Sequence, residues 1–201
     1  MSVLSLASRP LTRPLSPSAA GRSAPPSALA PTRLRIPDLL FTTDRCADDV
    51  LSGRYDSLLP EDGLPLDRRW FRRLYGDDEL DVWLISWVPE RSTELHDHGG
   101  SLGALTVISG ALAETRWDGR QLRERRLEAG DQAGFPLGWV HDVVWAPARG
   151  ASAAAPLVPA LSVHAYSPPL TVMSYYDVAD RGGVDTLRRV HTELTDKPEG
   201  E

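Results

Sequence analysis

Two kinds of hydrophobic pattern divide the chain. Residues 37–52 carry Leu39, Leu40, Phe41, Val50 and Leu51 at broadly helical spacing, and Asp38 suits a helix N-terminus. One or two short helices are expected there, packed against the later part of the chain, with helical signal ending by residue 75. From residue 80 the pattern changes to short β-rich runs at 82–88, 103–109, 111–117, 140–145, 160–166 and 170–177. Asp118-Gly119 and Gly130-Asp131 supply turns between them. Many short strands at this spacing point to a mainly β sandwich or barrel in one domain. The stretch 147–159 reads as a flexible loop, and the strand signal fades after about residue 180. The expected organisation is a disordered tail over 1–30, a helical N-terminal part over 31–75, a β-barrel over 76–182 and a C-terminal extension over 183–201.

Composition narrows the function. Residues 1–30 hold no acid and are rich in Ser, Ala, Pro and Arg. That suits a disordered tail, which cannot bury enough apolar surface to offset its ordering entropy. An organelle transit peptide shares the composition, but five prolines interrupt any amphipathic helix. The net charge of −6 argues against a nucleic-acid partner. No apolar run approaches the ~20 residues that span a bilayer, so no membrane partner is expected. Cys46 is the single cysteine, which excludes an internal disulfide and a thiolate metal site. These features suit a monomer in the cytoplasm.

Five histidines carry the candidate chemistry: His96, His98, His141, His164 and His191. In an extended Leu95-His96-Asp97-His98 segment, His96 and His98 project from the same side, one pleat apart. Two such imidazoles can chelate one metal ion, and a histidine from another strand would complete a three-nitrogen face. A His-x-His pair alone is weak and is more often a surface or hydrogen-bonding feature. Its surroundings strengthen it, since GGSLGALTVISG follows His98 and GDQAGFPLGWVH ends at His141.

These two blocks resemble the paired signatures of the cupin superfamily. The resemblance implies a cupin-type double-stranded β-helix, a jelly-roll barrel, with short N-terminal helices. The second block has Gly130, Pro136, Gly138 and His141 at the matching spacing, with Trp145 in place of the usual final asparagine. In the first block the usual glutamate ligand falls at Gly103. A site without it would keep three neutral ligands and the full charge of its cation, which favours an anionic thiolate.

A third block, Ser162-Val163-His164-Ala165-Tyr166-Ser167-Pro168-Pro169, is similar to the signature of the cysteine dioxygenases. HDHGGSLG and GWVHD resemble that family's iron-binding blocks. Together the blocks cover about residues 68–177, and their joint occurrence in order is specific. The resemblance implies Fe(2+) on His96, His98 and His141, with Ser162, His164 and Tyr166 as a catalytic line beside it. It further implies that Arg72, in Trp70-Phe71-Arg72, binds the substrate carboxylate, and that the reaction takes L-cysteine and O2 to cysteine sulfinate. Arg72 lies in a cluster with Arg68, Arg69 and Arg73, as solvated surface arginines commonly do. Gly103 also excludes the cysteine–tyrosine crosslink of vertebrate-type members. Two other readings stay open, a 3-mercaptopropionate (mercaptocarboxylate) dioxygenase and a non-catalytic metal-binding cupin sensor. The first usually has glutamine where Arg72 stands, and the second leaves Ser162, His164 and Tyr166 unexplained.

Overall fold

A computed structural model describes residues 34–89, 91–152, 156–180 and 182–198. The expected tail over 1–30 and part of the 147–159 loop lie outside these residues. One helix, α1 (Ile36–Leu51), forms where one or two were expected, and a 3-10 turn follows at Asp56–Leu58. Pro37 sits in its first turn, and the Asp38 carboxylate accepts the Arg35 backbone N–H at 2.8 Å. Leu39, Thr43 and Ala47, spaced four apart, form its buried stripe.

Eleven strands follow among the described residues: β1 (Trp70–Gly76), β2 (Asp81–Trp87), β3 (His96–Asp97), β4 (Leu102–Ser109), β5 (Ala111–Trp117), β6 (Leu122–Glu128), β7 (Gln132–Phe135), β8 (His141–Ala146), β9 (Ala160–Ser167), β10 (Val172–Asp180) and β11 (Asp185–Leu194). They make two antiparallel sheets, ordered β1-β2-β9-β4-β7 and β11-β10-β3-β8-β5-β6. The sheets face one another as a cupin-type double-stranded β-helix, with a core between them.

Strand β2 shows how sequence builds this arrangement, because every one of its residues is buried. Trp83, Ile85 and Trp87 point into the barrel, beside Leu105, Phe135, Val143, Tyr166 and Met173. Val82 and Leu84 point the other way, into a second cluster with Leu39, Ala47, Ala104, Val163 and Ala165. A strand covered on both sides therefore reads as a continuous apolar run. The second cluster seats α1 on the five-stranded sheet, helped by a hydrogen bond of 2.8 Å between Thr106 and Thr43 hydroxyls. Leu84 is fully buried there, so Leu84→Ala is expected to destabilise the domain by about 2–5 kcal/mol, measured by urea unfolding. An unchanged unfolding midpoint would show that the helix contributes little to the sheet's stability.

Strand structure extends beyond the runs read from sequence at both ends. β1 overlaps the end of the segment expected to be helical, pairing from Trp70↔Ser86 to Gly76↔Asp81. β11 continues past residue 180, where the strand signal was expected to fade. Neither side of β11 is apolar, so burial does not define it. Cross-strand pairs with β10 hold it: His191 stacks on Tyr175 with ring centroids 4.5 Å apart, Arg188 pairs with Asp177 at 2.9 Å, and the Ser174 and Thr192 hydroxyls bond at 2.9 Å. Among the described residues, no helix is long and apolar enough to cross a membrane.

Candidate metal centre

Three short-range features bring the histidines together. β3 is only two residues long and lies between β8 and β10, so that His96 pairs with both His141 and Tyr175. The Asp97 carboxylate accepts the Gly99 backbone N–H at 2.9 Å and the Tyr176 hydroxyl at 2.6 Å, which ties the turn after β3 to β10. Ahead of β3, the Thr93 backbone and hydroxyl donate to Asp142 at 2.9 and 2.7 Å, and the Ser92 hydroxyl donates to its other oxygen at 2.8 Å. Asp142 directly follows His141, so the same residue pins the approach to His96 and the start of β8.

His96, His98 and His141 are all buried, and one ligand nitrogen from each lies within 4.8 Å of the others. Their ring centroids are 5.0–5.2 Å apart. The His96 Nδ1–H donates to the Glu94 carbonyl at 2.8 Å, and the His141 Nδ1–H donates to the Glu114 carboxylate at 3.0 Å. With Nδ1 protonated in both rings, each Nε2 keeps its lone pair for a cation. The donor set therefore suits a divalent transition metal bound by neutral imidazoles.

Glu114, in the middle of β5, is fully buried. Besides the His141 bond, its carboxylate accepts the Trp139 indole N–H at 3.0 Å and pairs with Arg125. Burial alone would raise its pKa, but the hydrogen bonds from His141, Arg125 and Trp139 outweigh this and hold it below the ordinary carboxylate value. Phe135 packs against the other side of the group, its ring centroid 4.3 Å from that of His141 and 5.8 Å from that of His98. Gly103 pairs with Phe135 across β4 and β7. A Cβ at Gly103 would lie 2.9 Å from the Phe135 ring and 3.5 Å from His98 Nδ1, so glycine is what lets that ring reach the histidines.

On β9, Ser162, His164 and Tyr166 are fully buried and share the inward side. His164 Nδ1 lies 3.2 Å from the Tyr166 hydroxyl, and its Nε2 lies 3.0 Å from Ser162 Oγ. The Trp87 indole N–H donates to Ser162 Oγ at 2.8 Å, which starts the line from β2. Its far end reaches the histidines, since the Tyr166 ring centroid is 5.0 Å from that of His98.

Arg72 is not brought to this place. It is exposed, and it pairs in register with Leu84, whose side chain points away from the barrel, as do those of its strand neighbours Trp70 and Leu74. Strand alternation turns Phe71 and Arg73 inward instead. The Phe71 ring packs edge-on against Trp83, and the Arg73 guanidinium lies 5.8 Å over the same indole while paired with Asp81. Arg69 lies 5.2 Å over Trp87 and lines a cavity of about 490 Å³ with Tyr175 and His191, and the Tyr175 ring centroid is 6.1 Å from that of His96.

The sequence reading missed Glu114, Trp87 and Phe135. Glu114 carried a usable signal: it shares strand parity with apolar Leu112, and a carboxylate on the inward side of a strand requires partners.

The fold and the histidine cluster define a metal-binding protein of the cupin class. A family model described as cysteine dioxygenase type I matches residues 22–137, more than half of the chain. The chain belongs to that family. The match includes His96 and His98 and ends before His141. No curated protein matches significantly in sequence. Among solved structures, KdgF from Halomonas sp. is similar at 17% identity, covering 50% of this chain and 78% of that one, with a TM-score of 0.41. An uncharacterized conserved protein with a double-stranded beta-helix domain from Klebsiella pneumoniae is 20% identical over 56% of this chain and 85% of its own, with a TM-score of 0.42. A cupin superfamily protein from Desulfitobacterium hafniense is 13% identical over 55% and 84%, with a TM-score of 0.43.

Proposed function

We propose that this protein is a thiol dioxygenase that converts L-cysteine and O2 to cysteine sulfinate at Fe(2+) held by His96, His98 and His141. The observation that carries this reading is a buried triangle of three imidazoles with Tyr166 against one of them and glycine where a fourth ligand would stand. A bound ferrous ion supplies the Lewis acidity that keeps a thiol deprotonated and the redox chemistry that dioxygen requires.

The chain's own groups orient the reactants. Glu94 and Glu114 hold the rings of His96 and His141 through Nδ1. Because the Trp87 N–H donates to Ser162, Ser162 can donate to His164 Nε2, and His164 Nδ1–H can then donate to the Tyr166 oxygen. That order directs the Tyr166 O–H away from His164, where it can donate to charge developing on the reacting sulfur and oxygen. Arg69 replaces Arg72 in this reading as the group that meets the substrate carboxylate. It is turned inward over Trp87 and lines the cavity beside Tyr175, whose ring neighbours that of His96.

Oxygen uptake by the ferrous-reconstituted protein with L-cysteine, 3-mercaptopropionate and cysteamine tests the proposal. L-cysteine is expected to be the best substrate, and Arg69→Leu is expected to raise its KM by about 10-fold or more, while Arg72→Leu leaves KM near the parent value. No thiol-dependent uptake would sink the enzymatic reading, and a preference for 3-mercaptopropionate would reassign the substrate.

A further inference from the structure

His96 and His141 differ in what stands behind their Nδ1 atoms. His96 donates to a neutral main-chain carbonyl, whereas His141 donates to a buried carboxylate. That carboxylate is shared, because Glu114 also takes the Trp139 indole N–H and the guanidinium of Arg125. The Arg125 side chain is 39% exposed while that of Glu114 is 0% exposed, so the trio runs from the protein surface to the edge of the metal centre.

We propose that Glu114 supplies through His141 the anionic character that position 103 lacks, and that Arg125 sets how much of it reaches the metal. A carboxylate that accepts the Nδ1 proton pushes electron density onto the imidazole and strengthens Nε2 as a donor. Arg125 competes for the same negative charge, so it weakens that push. Glu114 is thus a positioning residue acting through His141, and the two members of the pair have effects of opposite sign on the metal. A purely structural ion pair predicts something else: loss of either partner would loosen the site.

The proposal rests on the three-histidine site as a metal centre and is independent of which thiol is oxidised. Its test is an anaerobic Co(2+) titration of the full chain against a competing chelator, with no thiol present, alongside thermal melts of the metal-free protein. Glu114→Gln is expected to weaken Co(2+) binding by about 10–100-fold. Arg125→Met is expected to tighten it by about threefold or more while lowering the melting temperature of the metal-free protein. Weaker or unchanged binding in Arg125→Met overturns the proposal, as does a Glu114→Gln affinity within about threefold of the parent. Should Glu114→Gln fail to fold, the surface-reaching Arg125→Met variant decides alone. Because no thiol or oxygen enters the titration, its failure is separate from a failure of the dioxygenase reading, which oxygen uptake reports.

Discussion

His141→Ala is expected to lose tight metal binding, by more than the roughly 10–100-fold typical when an outer partner of a ligand is removed, and to lose thiol-dependent oxygen uptake with it. The reason is geometric. His141 opens β8, it is the β-ladder partner of His96, and its ring is held by the Glu114 carboxylate and packs against the Phe135 ring. No other histidine can replace it, since His164 belongs to the line running to Tyr166 and His191 is stacked on Tyr175. The metal-free variant should still fold, because Glu114 keeps Arg125 and Trp139 as partners. Metal content after dialysis, together with a circular dichroism melt, checks both halves. Full metal stoichiometry in a folded variant would remove His141 from the centre.

Tyr166→Phe should separate binding from turnover. The ring stays against His98 and the barrel core, so metal affinity is expected to remain within about threefold of the parent. Only the hydroxyl is lost, and with it a preorganised donor of the kind whose removal lowers kcat by about 100-fold or more. Steady-state oxygen uptake at saturating cysteine reads this directly. Parent-like kcat would mean that the Ser162–His164–Tyr166 line is structural.

Much of this arrangement was legible in the chain because apolar patterning and chemistry coincide there. Six strands, β2, β4, β5, β8, β9 and β10, fall within three residues of the runs read from sequence, since each has a side facing the core. The histidine segment was legible because the two-residue strand His96–Asp97 is flanked by turn residues on a recognisable pattern. The features that escaped have physical reasons. β6 and β11 are charged strands held mainly by cross-strand pairs, with Leu127 the one buried residue of β6, so their periodicity carries little hydrophobic contrast. Arg72 was assigned by its place in a sequence block, but a strand turns neighbouring residues to opposite sides. One step of register decides whether an arginine meets solvent or core. The Glu114–His141 bond joins residues 27 apart in the chain, and spacing alone does not reveal such a pair.

The contact between Gly103 and the Phe135 ring makes the missing fourth ligand hard to restore. A glutamate at 103 would have to evict an aromatic ring that itself supports His141, while trimming that ring alone would leave a hole beside two histidines. Each change by itself is worse than none, so a route from this centre back to a three-histidine, one-carboxylate site passes through a paired substitution.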